Sequence, residues 1–339
     1  MRGPLEPGNA QSGINLGELR TLLDVHYGLD ASVNAGVVLP KSTTSPKLLI
    51  TSGGEAFVVK FMPRYIDSPS VYEARIATLH ELAWTCPAVV APLPNRDGFL
   101  LTQLDARWFW VSRHRAGKPY TGLPTETREA AQSLRELHVA LARLPDVHHE
   151  YRSSADFARF FIELARRSAH ESGELYLLDS FADLAQRMET PEPERMQLVH
   201  GDPTIPNFLF GGDGTVAGIF DFDDLRRGSV LRDVATLMVS TCCLRYKAQS
   251  STMSGVVSST IRNDRVRLVH SGYFGSEDTG LDVLLGQEVL LVWLEMMCLG
   301  LVRADFSWTA VAAALPGWLE SLRATFGIAV EPPNLRTPR

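Results

Sequence analysis

Strand-like runs crowd the first 114 residues and helical periodicity fills most of the rest, and this asymmetry limits the folds open to the chain. Leu16, Leu19, Leu22, Leu23 and His26 recur at a 3.6-residue period that stops at Gly28, which predicts one amphipathic helix. Residues 33–39, 47–51 and 56–62 are short β-branched or aromatic runs. The last two are separated by Ser52-Gly53-Gly54, a sequence suited to a tight hairpin. A helix is expected over 70–83, capped by Ser70, with Tyr72, Ile76, Leu79 and Leu82 on its apolar side. Two further strands fit 98–104 and 107–114. From Pro119 the pattern is helical over 125–144, 154–169 and 175–188. A strand-like island follows over 196–223, and helical periodicity resumes at Arg232 and runs with breaks to Phe326. The expected class is α+β, a small β-rich lobe followed by a larger, mainly helical one.

At 339 residues the chain exceeds one compact core of ~100–200 residues, so two lobes are expected: 15–114 and 115–335, after a flexible leader over 1–14. With 45% hydrophobic residues it can bury a core in each. The net charge of −6 argues against a nucleic-acid partner, for which a basic domain is expected. Four cysteines without a CxxC pair point to neither a disulfide framework nor structural zinc. The apolar run 289–302 is broken by Glu295 and is shorter than the ~20 residues of a membrane span, so it reads as a core helix. Residues 1–13 contain no apolar stretch of the signal-peptide kind. A cytoplasmic protein with no membrane partner is the expectation.

The chemistry concentrates in the island, which reads LVHGDPTIPNFLF and then GGDGTVAGIFDFDD. Asp202 and Asn207 lie on a loop between apolar runs, and Asp221 ends the next run. Carboxylate and amide oxygens gathered by such a hairpin suit a hard divalent cation. A neighbouring carboxylate can orient a hydroxyl and take its proton during phosphoryl transfer. Singly, each acid is as well explained as a turn residue, and Gly212-Asp213-Gly214 is such a turn. The spacing HGDxxxxN followed by an apolar strand ending in DFD is far harder to reach by chance.

These motifs resemble the aminoglycoside phosphotransferase/choline kinase/type II homoserine kinase superfamily, whose fold is protein-kinase-like; the lobe order agrees from about Leu16 to Phe326. The resemblance implies that Asp202 is the catalytic carboxylate, that Asn207 and Asp221 hold Mg2+, and that Asp223 lies at the rim of the metal site. His138 and His200 are then structural, and Asp233 is a helix N-terminal anchor near the catalytic loop. Between Asp202 and Asn207, Thr204-Ile205-Pro206 replaces the frequent His-Pro-Gly while keeping the spacing.

Lys60, in FVVKFM, stands in mid-strand. By alternation alone it faces either solvent or an anion; the resemblance implies the α- and β-phosphates of ATP or GTP, with Glu73 of the following helix as its ion-pair partner. A glycine-rich phosphate loop is missing from VVLPKSTTSPKLLI. Ser42, Thr43 and Thr44 there are either hydroxyl and amide donors to phosphate or a solvated hairpin. The resemblance also implies a nucleobase-binding hinge at the end of the strand entering the helical lobe, at Ser112, Arg113, His114 and Arg115. The implied activity is a Mg-dependent transfer of the γ-phosphate to a hydroxyl of a small molecule: an amino alcohol, sugar or nucleoside-like metabolite. An antibiotic-inactivating phosphotransferase of the aminoglycoside or macrolide type is the alternative within the class. A non-catalytic nucleotide-binding regulator is the alternative outside it. Protein phosphorylation is disfavoured, because no DFG-to-APE segment follows the metal aspartate. Glu295, an acid inside an apolar helix, requires a buried partner such as Arg303 or another base.

Overall fold

The computed structural model describes residues 14–30, 32–38, 45–63, 66, 68–145, 153–188, 196–246, 253–275 and 283–328. The chain divides into two compact units, 1–116 and 117–339.

The N-terminal unit begins with α1 (Leu16–Tyr27). The Asn15 side chain accepts from the Gly17 and Glu18 amides at its start, and Gly28 ends it in the left-handed region. Strands β1 (Ser32–Val38), β2 (Lys47–Ser52) and β3 (Glu55–Phe61) follow. They form an antiparallel sheet with β4 (Thr102–Leu104) and β5 (Arg107–Arg113), in the order β1-β2-β3-β5-β4. The β2–β3 turn closes with Ser52 opposite Glu55. Gly53 and Gly54 take φ of 58° and 84°, which residues with a Cβ adopt only under strain.

Alternation then sorts the sheet's side chains. Phe57, Val59 and Phe61 join Leu48, Ile50, Phe109 and Val111 in a core closed by Leu19 and Leu23 of α1. Trp110, on the other face, donates through Nε1 to the Tyr72 hydroxyl at 3.0 Å. Tyr72 belongs to α2 (Pro69–Thr85), which buries Tyr72, Ile76, Leu79 and Leu82 as the sequence pattern expects. Its cap is Ser68, not Ser70: the Ser68 hydroxyl accepts from the Val71 amide. The strand expected from residue 98 starts only at Thr102. The Asn95 side chain accepts from the Asp97 and Phe99 amides, and Gly98 has φ 85°, so these residues form a turn.

In the C-terminal unit, α3 (Pro124–Leu141), α4 (Ser154–Arg166) and α5 (Ser172–Gln186) precede the β island. The island contains two antiparallel pairs: β6 (Gln197–Val199) with β9 (Arg226–Gly228), and β7 (Phe208–Phe210) with β8 (Val216–Ile219). After α6 (Val230–Met238) the expected run of helix is interrupted. A wide π-helical turn, Val239–Cys243, leads to an antiparallel pair, β10 (Leu244–Tyr246) with β11 (Met253–Val257). The Ser240 and Thr241 hydroxyls both donate to the Leu237 carbonyl, a side-chain pairing that competes with the regular helical ladder.

Helices α7 (Asn263–Phe274), α8 (Val283–Val302) and α9 (Trp308–Phe326) complete the unit. Apolar on nearly every side, α8 packs against α4, α6 and α9. By length and composition it is the one helix among the described residues able to cross a membrane, yet most of it is buried in the fold. Its Trp293 stacks on Trp318 of α9, with ring centroids 4.3 Å apart and planes 17° from parallel.

Candidate active site

The loop after β6 is held in place from three sides. Asp233, in the first turn of α6, accepts from the His200 amide at 2.8 Å and the Gly201 amide at 3.1 Å. His138 of α3 binds the same carboxylate through Nε2 at 3.0 Å, and its Nδ1 meets the Tyr273 hydroxyl at 2.6 Å. Ser229, not Asp233, caps α6; the Asp233 side chain is an anchor for the loop. On the far side, Ser240 Oγ accepts from the Ile205 amide at 3.1 Å. His200 is fully buried, with its ring against Phe222. The Asp202 amide donates to its Nδ1 at 3.2 Å, so Nε2 carries the proton and donates to the Phe220 carbonyl at 3.1 Å. Burial lowers the proton affinity of this ring below that of ordinary histidine, outweighing the Asp233 charge. Both ring nitrogens are engaged, which fits a brace and not a proton carrier.

Asn207 closes a short 3-10 turn, Ile205–Asn207, at the start of β7. Its Nδ2 donates to the Asp202 carbonyl at 2.8 Å, to Asp202 Oδ2 at 3.3 Å and to Thr204 Oγ1 at 3.2 Å. The amide nitrogen therefore faces the loop. Phe208 pairs with Ile219, and the Phe220 amide donates to the Asn207 carbonyl at 3.1 Å, so Asn207 and Asp221 share one end of the β7–β8 hairpin. Asp221 has φ 70°, a left-handed conformation uncommon for a residue with a side chain. Asp223 follows it, buried in a 3-10 turn over Phe222–Asp224. The sequence-assigned Asp202, Asn207 and Asp221 are thus brought to one hairpin end and one adjoining loop.

The half-buried Asp202 carboxyl is pushed well above the usual carboxylate range, first by burial, then by the charges of Asp224, Asp221 and Glu295, against which Arg226 acts. Asp233 moves the other way: burial raises it, but the hydrogen bond and charge of His138, with His200 and Arg226, hold it below its ordinary value. Glu295 pairs with Arg232 of α6, not with Arg303. Among the described residues no group of three or more His, Cys, Asp or Glu side chains is gathered to hold a metal ion. The donor set nevertheless suits a hard cation that keeps some of its ligands as water, because Asn207 and Asp221 offer an amide oxygen and a carboxylate.

In the N-terminal unit, Lys60 is only 4% exposed, which excludes the solvent-facing alternative. It lies on the face of β3 opposite the α1 core, next to Trp110, whose ring centroid is 5.9 Å from its ammonium. Glu73 is exposed on α2, and no ion pair joins it to Lys60. Ser112 is buried on β5 opposite Val58, and the His114 amide donates to the Ala56 carbonyl at 2.8 Å. Arg113 pairs with Glu55, and Arg115 donates to the Pro87 carbonyl at 2.6 Å. Ser42, Thr43 and Thr44 lie outside the described residues.

The model of the phosphotransferase enzyme family matches residues 37–248, more than half of the chain. The chain belongs to this family. It is a phosphotransferase with a hydroxyl acceptor, as the motif reading expects. No curated protein matches it. Solved structures similar to it include an amicoumacin kinase in complex with AMP-PNP, Ca2+ and its substrate, at 13% identity. There 92% of this chain and 94% of that one align with a TM-score of 0.66. A microcompartment-associated aminopropanol kinase aligns at 17% identity over 91% and 95% of the two chains, with a TM-score of 0.63. A spectinomycin phosphotransferase in complex with ADP and spectinomycin aligns at 14% identity over 90% and 93%, with a TM-score of 0.60. At these identities the likeness establishes the fold, which is protein-kinase-like.

The phosphotransferase keeps a carboxylate with raised proton affinity on a loop whose backbone is held by Asp233 and Ser240, with His138 fixing the Asp233 carboxylate. Such a group can accept a hydroxyl proton while the loop's rigidity preserves its aim. Sequence reading did not find Arg226 and Arg232. In DFDDLRRGSVLRD they resemble surface charge, yet both are buried and their guanidinium groups lie over the Phe157 ring. Only the three-dimensional neighbours reveal them.

Proposed function

We propose that the enzyme transfers the γ-phosphate of ATP or GTP to a hydroxyl of a small molecule with Mg2+ as cofactor. The observation that carries this reading is the orientation of Asn207: its nitrogen is committed to the Asp202 loop, which leaves its oxygen to serve as a ligand, and Asp221 stands at the same end of the hairpin. Asn207 and Asp221 are the residues that would hold Mg2+, with Asp223 beside them. Bound there, the cation would neutralise charge on the transferring phosphoryl group. Asp202 aligns the acceptor hydroxyl and takes its proton. Lys60 holds the α- and β-phosphates, which agrees with its burial on the sheet face away from the α1 core. Glu73 becomes its partner in the nucleotide-bound enzyme. Ser112, Arg113, His114 and Arg115 form the hinge for the nucleobase.

An amino alcohol is the favoured acceptor among the metabolites considered. Asp202 experiences Asp221, Asp224 and Glu295 as like charges, and an ammonium beside the acceptor hydroxyl would relieve that repulsion. The test is nucleoside triphosphate consumption with Mg2+ against a panel of amino alcohols, their des-amino analogues, sugars, nucleosides and hydroxylated antibiotics. A phosphorylated amino alcohol supports the reading. Turnover confined to antibiotics would replace its acceptor class, and no consumption with any acceptor would refute the catalytic assignment.

A further inference from the structure

We infer that Arg226 is a positioning residue that fastens the loop carrying Asp202 to the loop carrying Asp221 and Asp223, so that the two hold one spacing. The roles of those loops rest on the proposed function; the fastening itself rests on geometry. Arg226 stands on β9 directly opposite Val199, the last residue of β6, and is 7% exposed. One guanidinium reaches both loops. Nη2 donates to the Gly201 carbonyl at 3.1 Å and Nη1 to the Asp224 carbonyl at 3.2 Å.

The loops are pressed together where this fork meets them. Gly201 has φ 88°, and a Cβ on it would collide with the Asp224 carbonyl and with Arg226 Nη1. The guanidinium in turn lies over the ring of Phe157 on α4, 4.3 Å from its centroid. Arg232 lies over the same ring at 4.7 Å and is paired with Glu295 of α8. Burial and the Arg232 charge disfavour a cation at Arg226, while Asp224, Asp233 and Glu295 favour it. Arg226 makes no hydrogen bond to the Asp202 carboxylate, so its effect on chemistry passes through the Gly201 and Asp224 backbone. Lysine could keep the charge over Phe157, but one ammonium on a flexible stem does not reproduce a planar fork to two carbonyls.

The test compares Arg226→Lys and Arg226→Met with the wild-type chain by amide hydrogen exchange. The segments followed are 200–208, 221–225, α3 and α7. In Arg226→Lys, exchange should rise about 10-fold in both loop segments together and stay unchanged in α3 and α7. With an identified acceptor, kcat should fall about 10–100-fold while both KM values stay within about twofold, as for a misaligned reacting group. Loops that exchange as in the wild type, or a uniform rise along the whole unit, would overturn the proposal. If the arginine variants do not fold, Phe157→Leu removes the platform and leaves the guanidinium; paired loosening of the loops is again expected, and its absence counts against the proposal. A wild-type chain without turnover would refute the proposed function, and the exchange result would still decide the role of Arg226.

Discussion

Replacing Asp202 by asparagine separates the cost of keeping a carboxylate in its loop from the use made of it. In the folded chain that carboxyl is raised by burial and by Asp224, Asp221 and Glu295. A raised folded-state value in an acid means that the native state is penalised once the group ionises. Below the unfolded value, near 3.9, both states are protonated and the substitution should be close to neutral. As the pH rises through the folded value, the wild-type chain loses stability that Asp202→Asn retains. Little is sacrificed in exchange: the carboxylate accepts one 3.3 Å bond from Asn207, which a carboxamide oxygen can also accept. Single stabilising substitutions commonly gain about 0.5–2 kcal/mol. For a unit of this size each kcal/mol moves Tm by about 2–4 °C. Scanning calorimetry at pH 3 and pH 8 in EDTA should therefore show a Tm gain of roughly 1–8 °C at pH 8 and almost none at pH 3. Turnover should fall by roughly 10²–10⁴-fold, the contribution of a general base. A variant less stable than wild type at pH 8, or a gain independent of pH, would refute the electrostatic reasoning.

Asp221→Ala should abolish Mg-dependent nucleotide binding in calorimetric titration, and Asn207→Ala should raise the Mg2+ concentration needed; unchanged affinity in the first would place the metal elsewhere. Asp233→Asn should cost about 3–5 kcal/mol near pH 7, because it breaks a buried charged network. Its folded value is depressed, so that contribution is present above about pH 4 and fades as the pH falls through the folded value, which urea unfolding at several pH values measures. Gly201→Ala should lower stability by about 2–4 kcal/mol, since it adds a Cβ at φ 88° against the Asp224 carbonyl; a Tm like that of wild type would contradict the close approach. Lys60→Met should weaken nucleotide binding and lower turnover more than Glu73→Gln does, measured by titration and initial rates; equal effects would remove the distinction drawn between a buried lysine and an exposed glutamate.

The parts of the molecule governed by local pattern were legible in the sequence. The β2–β3 hairpin follows from Gly53-Gly54, α2 from the spacing of Tyr72, Ile76, Leu79 and Leu82, and the Asp202, Asn207 and Asp221 constellation from a fixed motif spacing. Features decided by distant contacts were not legible. Helical periodicity after Arg232 gave no warning of the π-helical turn, where the Ser240 and Thr241 hydroxyls take up the Leu237 carbonyl, or of the β10–β11 pair. The partner of Glu295 depends on α8 crossing α6, so Arg232 displaced the nearer-in-sequence Arg303. The turn at 95–99 depends on one asparagine side chain accepting two amides, a local effect that strand periodicity does not register.

The tryptophans give each unit its own optical signature. Trp84, Trp108 and Trp110 belong to the N-terminal unit, and Trp293, Trp308 and Trp318 to the C-terminal one. Two indoles stacked 4.3 Å apart, as Trp293 and Trp318 are, couple their electronic transitions and produce a paired circular-dichroism band that isolated indoles lack. That band can exist only while α8 and α9 are packed. Trp84, 81% exposed, is instead open to a collisional quencher such as acrylamide. Dichroism therefore follows the helical unit, while quenching of the exposed Trp84 samples the sheet unit. An unfolding experiment on the unlabelled chain can thus show whether the two units melt together or in turn.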